Sequence, residues 1–357
     1  MPSTTIILPT YEEAGNLPEL VKRIRASVDG NVCILVTDDG SLNGTAKVAL
    51  DLGCAVLNRN GRQRGLSAAV IDALKLVGTE KMVVMDADLQ HPPELLPAII
   101  AKLDEADMVI ASREVEGGSY GDWSLKRRLV SFVAKLLVKP LLPKISDPMT
   151  GFFGIRLGAL PDDLQALSPR GFKIMLELLV KGKAKVIAEV PLNLGKRHSG
   201  KSKLGGRVMK DYLLQLVELY LYKFRWLRFG LVGLSGTLVF FPVLYGLTEL
   251  AGLFYIASAA IAIVLASTNN YFWNNLWTFR DKARRGLKGH IVGWTNYQVL
   301  SAVGDGLYLG LLAFFTEIVG LWYMLSAALS LILVFIFKFV WADKVIWRRA
   351  RPRVETA

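Results

Sequence analysis

The sequence predicts an α/β domain built on a mostly parallel sheet, followed by an all-α domain of four transmembrane helices. Three observations carry this expectation. Up to about Lys223 short apolar runs alternate with charged segments, from Phe229 to Ala342 long apolar stretches dominate, and carboxylate-rich motifs follow the strand-like runs. The 357 residues have room for two domains, expected at 1–223 and 224–357. The mean hydropathy of +0.36 is too apolar for an ordinary soluble protein.

Taken in order, Thr4–Leu8 reads as a strand, Asn16–Val28 as a helix, Val32–Thr37 as a strand, Ser41–Leu52 as a helix and Cys54–Leu57 as a strand. Leu66–Val77 continues as a helix, Lys81–Met85 as a strand, Pro93–Glu105 as a helix and Met108–Ala111 as a strand. Such alternation implies right-handed crossovers and a ligand crevice at the C-terminal ends of the strands. Pro9-Thr10-Tyr11-Glu12-Glu13, Asp38-Asp39-Gly40-Ser41 and Asp86 to Gln90 all fall there. A dinucleotide fold would put G-x-G-x-x-G after the first strand, where this chain has Pro9-Thr10-Tyr11-Glu12-Glu13, and Gly61-Arg62-Gln63-Arg64-Gly65 lacks the Lys-Ser/Thr ending of a P-loop.

The run Met85-Asp86-Ala87-Asp88-Leu89-Gln90-His91-Pro92-Pro93 is the most informative. Two carboxylates and an amide oxygen directly follow an apolar strand. Carboxylates at the end of a buried strand are costly to desolvate alone, and hard oxygen ligands suit Mg²⁺ or Mn²⁺ bridging to a sugar-nucleotide diphosphate. His91 precedes a proline-marked helix start, which fits a supporting or capping role rather than proton transfer.

Cys33 and Cys54, the two cysteines, sit in apolar strand contexts and are expected to be buried free thiols. Met1 to Thr10 lacks the layout of a signal peptide. The net charge of +12 has a membrane explanation. Lys126, Arg127, Arg128, Lys135, Lys139 and Lys144 lie among Leu, Val and Phe between Trp123 and Ile145, as in an interfacial amphipathic helix. Lys223, Arg225 and Arg228 flank Trp226 where the first apolar span begins, which suits anionic headgroups. No nucleic-acid-binding motif is visible, so nucleic acid is not an expected partner.

Together with Gly65-Leu66-Ser67-Ala68-Ala69, the blocks Pro9 to Glu13, Asp38 to Ser41 and Met85 to Pro93 resemble the inverting glycosyltransferases of family 2. Within it they are most similar to the polyprenyl-phosphate (dolichol-phosphate) mannose synthases, through Ser112-Arg113, Asp147-Pro148-Met149-Thr150-Gly151-Phe152-Phe153, Gly171-Phe172-Lys173-Ile174 and Gly195 to Lys203. The resemblance covers roughly residues 3 to 215. It implies a GT-A (Rossmann-like) fold and inverting transfer of mannose from GDP-mannose to polyprenyl phosphate, yielding polyprenyl-phosphate β-mannose and GDP. Transfer of glucose from UDP-glucose is the alternative within the class, and a lipid-linked sugar flippase is the alternative outside it.

Carried over by position, the resemblance gives a donor-nucleotide set of Pro9, Tyr11, Glu13, Thr37, Asp39, Asp86, Ala87 and Asp88. Pro9, Tyr11, Glu13 and Asp39 surround base and ribose, Asp86 and Asp88 lie at the diphosphate, and Asp88 and Gln90 hold the metal. Tyr11 offers a stacking face, Asp39 accepts from ring N–H groups, and Glu12 is a solvated neighbour. The acceptor phosphate is assigned to Arg113, Arg127, Ser131, Arg197 and Lys203, with Lys173 a weaker candidate; Asp86, Asp88, Arg113 and Arg127 form the catalytic group.

The second half divides into spans of roughly Phe229–Leu250, Phe254–Trp273, Ile291–Phe315 and Val319–Ala342. Arg280, Lys282, Arg284, Arg285 and Lys288 crowd the second connection, whereas the first and third carry no Lys or Arg, so both termini and the middle loop are expected to be cytoplasmic. Arg228 to Gly233 and Asn274 to Arg280 resemble GtrA-like membrane domains. Asn269, Asn270, Asn274, Asn296, Asp305 and Lys338 lie within spans, where polar side chains pair helices.

Overall fold

The computed structural model describes residues 3–61, 65–121, 123–195 and 206–348; the side chains of Lys126, Arg127 and Arg207 lie outside this description. The chain forms two compact units, Met1–Lys223 and Phe224–Ala357.

Among the described residues the first unit holds seven strands, β1 (Thr4–Thr10), β2 (Val32–Asp38), β3 (Ala55–Asn58), β4 (Lys81–Val84), β5 (Met108–Ser112), β6 (Phe153–Arg156) and β7 (Ile187–Pro191), in the order β3-β2-β1-β4-β6-β5-β7. All neighbours are parallel except β6, which runs antiparallel to both β4 and β5. The alternating sequence pattern does not reveal β6, because it is inserted between strands distant in sequence. Helices α1 (Leu17–Ser27), α2 (Thr45–Asp51), α3 (Leu66–Leu74), α4 (Leu96–Lys102), α5 (Leu125–Val138), α6 (Ile174–Lys181) and α7 (Gly206–Lys223) complete the unit.

Side chains alternate across each strand, so β1 feeds two cores. Ile6 and Leu8 join Val83, Leu17, Leu20, Leu96 and Ile99 on one face; Ile7 joins Val84, Val70, Leu74, Ile174 and Leu178 on the other. Because both faces are covered, the strands read as almost unbroken apolar runs. A Cβ at Gly154 of β6 would lie 2.7 Å from Ile99 Cγ2 and 2.9 Å from Leu103 Cδ1, so this glycine lets α4 close onto the sheet. Strand β1 lies between β2 and β4, which makes its C-terminal end the switch point of the sheet and the place where a crevice opens. Both cysteines are free; Cys54 is buried as expected, but Cys33 is only half-buried near the start of β2.

The expected amphipathic helix is α5. It is shorter than the apolar and basic pattern suggests, because Pro140 lies in the 3₁₀ turn that follows it. Leu125, Leu129, Phe132, Leu136 and Leu137 are exposed along it. Tyr212 and Tyr220 of α7 donate to the Ala134 and Leu137 carbonyls, each at 2.8 Å, and Lys223 donates to the Leu141 carbonyl at 2.5 Å. These bonds hold α7 along the C-terminal half of α5. Its own Leu213, Val217 and Tyr222 are also exposed.

In the second unit, α8 (Arg225–Tyr245), α9 (Tyr255–Trp273), α10 (Gly286–Ala313) and α11 (Tyr323–Trp341) each end in a π-helical turn. With those turns, four segments among the described residues are long and apolar enough to cross a membrane: Arg225–Leu250, Tyr255–Thr278, Gly286–Ile318 and Tyr323–Ile346. The third begins earlier than the apolar run because Leu287 to His290 is helical despite its polarity. Several polar groups within the spans bond helix to helix: Asn269 donates to Ser235 Oγ at 3.0 Å, Asn274 to Tyr297 Oη at 3.3 Å, and Lys338 pairs with Asp305 at 2.7 Å. At one end of the bundle Trp347 stacks on Phe279 at 4.4 Å and donates to Asn275 Oδ1 at 2.9 Å.

Candidate active site

Three loops follow the C-terminal ends of β1, β2 and β4, and their geometry is set by their own hydrogen bonds. Asp38 and Asp39 play different parts in their motif. Asp38, fully buried, accepts from the Ser41 N–H at 2.9 Å and hydroxyl at 2.5 Å, which closes the turn after β2. Asp39 follows it, with its backbone N–H bonded to the Thr10 carbonyl at 2.9 Å. Its Oδ2 accepts the Gly65 N–H at 2.6 Å and its Oδ1 pairs with Arg59. Thr37 is buried beside the end of β1, where its Cα pairs with Pro9.

Tyr11 and Glu13 are half-buried in the loop after β1. Glu13 Oε2 accepts from Asn16 at 2.6 Å and the Glu13 carbonyl accepts the Asn16 and Leu17 N–H groups, so the residue also starts α1. Glu12 is exposed, as expected, but it also braces the loop. With φ of 64° it accepts the Leu42 N–H at 2.8 Å and donates its own N–H to Ser41 Oγ at 2.8 Å. These bonds tie the first loop to the second.

The third loop carries the candidate metal residues. Asp86 is 37 % exposed by its side chain, whereas Ala87 and Asp88 are buried. Leu89 takes a left-handed conformation, φ 62°, and the Gln90 N–H returns to Asp88 Oδ1 at 3.2 Å. The turn thereby brings Asp88 and Gln90 together. The Gln90 carbonyl accepts the Gly195 N–H at 2.8 Å and its amide donates to the Gly195 carbonyl at 3.3 Å. No group of three His, Cys, Asp or Glu residues able to hold a metal occurs among the described residues. A carboxylate beside an amide oxygen still fits a hard cation that takes its remaining ligands from substrate phosphates and water.

His91 is buried and stacks on Phe152 with centroids 5.1 Å apart. Burial holds its pKa below the ordinary imidazole value despite the nearby Asp86 and Asp88 charges. The ring therefore accepts the Asp86 N–H at Nδ1, 3.0 Å, and directs Nε2 toward Asp86 Oδ2, 3.8 Å away. It braces the loop, as the sequence suggests.

Arg113, at the end of β5, forms a fork with buried Asp147: Nε to Oδ2 at 2.6 Å and Nη2 to Oδ1 at 2.7 Å. Its guanidinium lies 4.8 Å from the Tyr120 ring centroid and 4.9 Å from that of Trp123. Burial would raise the Asp147 carboxyl, but the Arg113 guanidinium holds it below the usual range. Ser131 is half-buried on α5. Arg127 stands one turn before it and shares its helix face by register, while its side chain lies outside the description. Arg197 and Lys203 lie outside the described residues. Lys173 donates to the Met149 carbonyl.

Three residues to which the sequence alone assigns no role shape this site. Asp147 orients Arg113, and its signal is its place in the Asp147 to Phe153 block. A Cβ on Gly151 would lie 3.3 Å from Asp86 Oδ2 and 3.6 Å from His91 Cε1, so this glycine leaves room for both. Arg59 carries no signal beyond its charge.

Residues 5–163 match the glycosyl transferase family 2 model and residues 228–347 match the GtrA/DPMS transmembrane domain model. The chain is 35 % identical to the dolichol-phosphate mannosyltransferase of Pyrococcus furiosus over 354 residues, 96 % of this chain and 99 % of that one. The dolichol-phosphate mannosyltransferase of Saccharomyces cerevisiae is 34 % identical over 69 % of this chain and 97 % of its own. Among solved structures, glucosyl-3-phosphoglycerate synthase from Mycobacterium tuberculosis, in complex with Mn²⁺, UDP and glucosyl-3-phosphoglycerate, aligns with 61 % of this chain and 80 % of its own, with TM-score 0.48 and 20 % identity. With a relative similar along nearly its whole length and both family models matched, the chain belongs to the dolichol-phosphate mannosyltransferases of glycosyl transferase family 2 that carry a GtrA/DPMS transmembrane domain.

Proposed function

We propose that this protein transfers mannose from GDP-mannose to a polyprenyl (dolichyl) phosphate, inverting the anomeric centre and releasing GDP. The observation that carries this is the similarity to a dolichol-phosphate mannosyltransferase along nearly the full length of both chains. The crevice at the β1 and β4 ends supports it, with a carboxylate for the base, carboxylates for the diphosphate region and a buried arginine beside them.

In this reading Tyr11 stacks on the donor, Pro9, Glu13 and Thr37 line its base and ribose, and Asp39 accepts base N–H groups. Asp86, Ala87 and Asp88 lie at the diphosphate. Asp88 and Gln90 hold Mn²⁺ or Mg²⁺, which when bound offsets the charge of the departing diphosphate. The lipid phosphate is already ionised near neutral pH, so the protein needs to hold it in line rather than to take a proton from it. Arg113 has N–H groups beyond the two that bind Asp147, and its bracing between Asp147 and two rings gives it one orientation. Arg127 and Ser131 on α5, with Arg197 and Lys203, complete the acceptor cluster.

The exposed apolar residues of α5 and α7 suit a lipid interface, where a phosphate on a long polyprenyl chain is presented. In this reading the four apolar spans cross a membrane, and the excess of Lys and Arg in the Arg280 to Lys288 loop supports a topology with that loop, both termini and the catalytic unit on the cytoplasmic side. Residues 1–223 form the catalytic domain and 224–357 the membrane domain.

The test is transfer by the purified full-length protein with Mn²⁺ and dolichyl phosphate. Label from GDP-mannose should pass into the organic phase, and label from UDP-glucose should not. Glucose transfer without mannose transfer would overturn the donor assignment.

A further inference from the structure

Arg59 is 3 % exposed immediately after β3, yet nothing in the reaction so far uses it. Its backbone N–H donates to the Asp38 carbonyl at 2.9 Å, its Nη1 pairs with Asp39 Oδ1, and its Nε donates to Asp72 Oδ2 at 3.0 Å. Asp72, on α3, also meets Lys75 at 3.1 Å. A buried guanidinium is costly to keep unless paired, and this one is paired on two sides. Asp72 fixes the plane of the guanidinium. The guanidinium and the Gly65 N–H, 2.6 Å from Oδ2, then fix both oxygens of Asp39.

A carboxylate held at both oxygens cannot rotate about its last torsion. Each oxygen has two lone-pair directions, so each keeps one to offer in the same plane. Guanine presents its N1–H and exocyclic N2–H side by side, matching two such acceptors. Uracil presents one N–H between two carbonyls, so a second fixed acceptor meets an oxygen and is left unpaired.

We propose that Arg59 is a positioning residue for donor recognition, holding the Asp39 carboxylate in the plane that accepts the two adjacent N–H groups of guanine. The inference rests on the reading of Asp39 as the base acceptor. Arg59 does not touch the donor; it acts through Asp39, with Asp72 as its anchor. Loss of Arg59 frees the carboxylate to turn, and the second hydrogen bond is lost first.

The experiment measures Mn²⁺-dependent binding of GDP and IDP, which lacks only the exocyclic amine, to the purified full-length protein. Wild type should bind GDP about tenfold or more tightly than IDP. Arg59→Gln should bring that ratio close to one, while turnover at saturating donor and the KM for dolichyl phosphate stay within about twofold. Arg59→Lys, which keeps the charge but not the planar fork, should fall between. Asp72→Asn loosens the anchor with Arg59 in place and should lower the ratio in the same direction. Because a ratio does not depend on the active fraction, partial unfolding does not obscure it. Equal weakening of GDP and IDP in the Arg59 variants, with the ratio kept, makes Arg59 purely structural and overturns the proposal alone. A wild type that does not distinguish the two nucleotides, or an Asp39→Asn variant that still does, overturns the reading of Asp39 at the base and the proposal with it.

Discussion

Arg113 and Asp147 meet through two parallel hydrogen bonds, 2.6 and 2.7 Å, with both side chains almost fully buried. The Asp147 Oδ2 also accepts the Arg113 backbone N–H at 3.1 Å and its Oδ1 the Met149 N–H at 3.1 Å. One carboxylate therefore fixes both the arginine and the start of the loop that reaches Gly151. Asp147→Ala leaves a buried guanidinium without its partner, which should cost about 3–5 kcal/mol of stability. Chemical denaturation checks the magnitude; a loss below about 1 kcal/mol would show that water or another carboxylate replaces Asp147.

The same pair sets a pH dependence. The folded Asp147 carboxyl titrates below its unfolded value, so on acidification the unfolded chain takes up the proton first. Its stabilisation is complete above the unfolded value of about 3.9 and is lost as pH falls through the folded one. Asp147→Asn removes the titrating group, so the gap in melting temperature between variant and wild type should narrow below about pH 4. A gap that widens there contradicts the sign.

Asp88→Ala should abolish transfer and Mn²⁺-dependent donor binding while lowering stability by only about 1 kcal/mol, since it removes an oxygen ligand and the acceptor of the Gln90 N–H. Normal turnover by this variant would remove the metal assignment.

Gly151→Ala probes the packing behind Asp86. The new methyl at 3.3 Å from Asp86 Oδ2 must push the carboxylate outward by a few tenths of an ångström. Turnover should fall about tenfold, with the KM for lipid phosphate less affected, because a small misplacement at the reacting centre is expensive. An unchanged kcat would show that the position of Asp86 is not critical.

Much of this site was legible in the sequence, and the reasons are physical. Asp86, Asp88 and Gln90 stand out because carboxylates at the end of an apolar strand need a partner, and β4 with its following loop has that layout. The division of Asp38 from Asp39 was not legible, since it depends on which of two adjacent carboxylates Ser41 captures. The roles of Arg59 and Asp147 were not legible because their partners, Asp72, 13 residues on, and Arg113, 34 residues back, are set by how the elements pack and not by a local pattern. Strand β6 went unread because its neighbours β4 and β5 precede it by more than forty residues.

The exposed stripe of α5 predicts a substrate-dependent defect. Leu129→Glu with Phe132→Glu places two charges among residues suited to lipid, at positions already exposed and so without loss of core packing. Transfer to membrane-embedded dolichyl phosphate should drop at least about tenfold, while transfer to a water-soluble short-chain analogue is retained. Equal loss on both acceptors would place the effect inside the catalytic unit.

The most direct test of the central claim is the identity of the released nucleotide. In the proposed site the lipid phosphate attacks the anomeric carbon opposite the diphosphate, so the bond between that carbon and the diphosphate oxygen breaks and the nucleoside diphosphate leaves. Attack at phosphorus would release the monophosphate and leave a lipid diphosphate sugar. Chromatography of the nucleotides formed from GDP-mannose and dolichyl phosphate should show GDP in one-to-one ratio with lipid-linked mannose; GMP as the stoichiometric product would contradict the account.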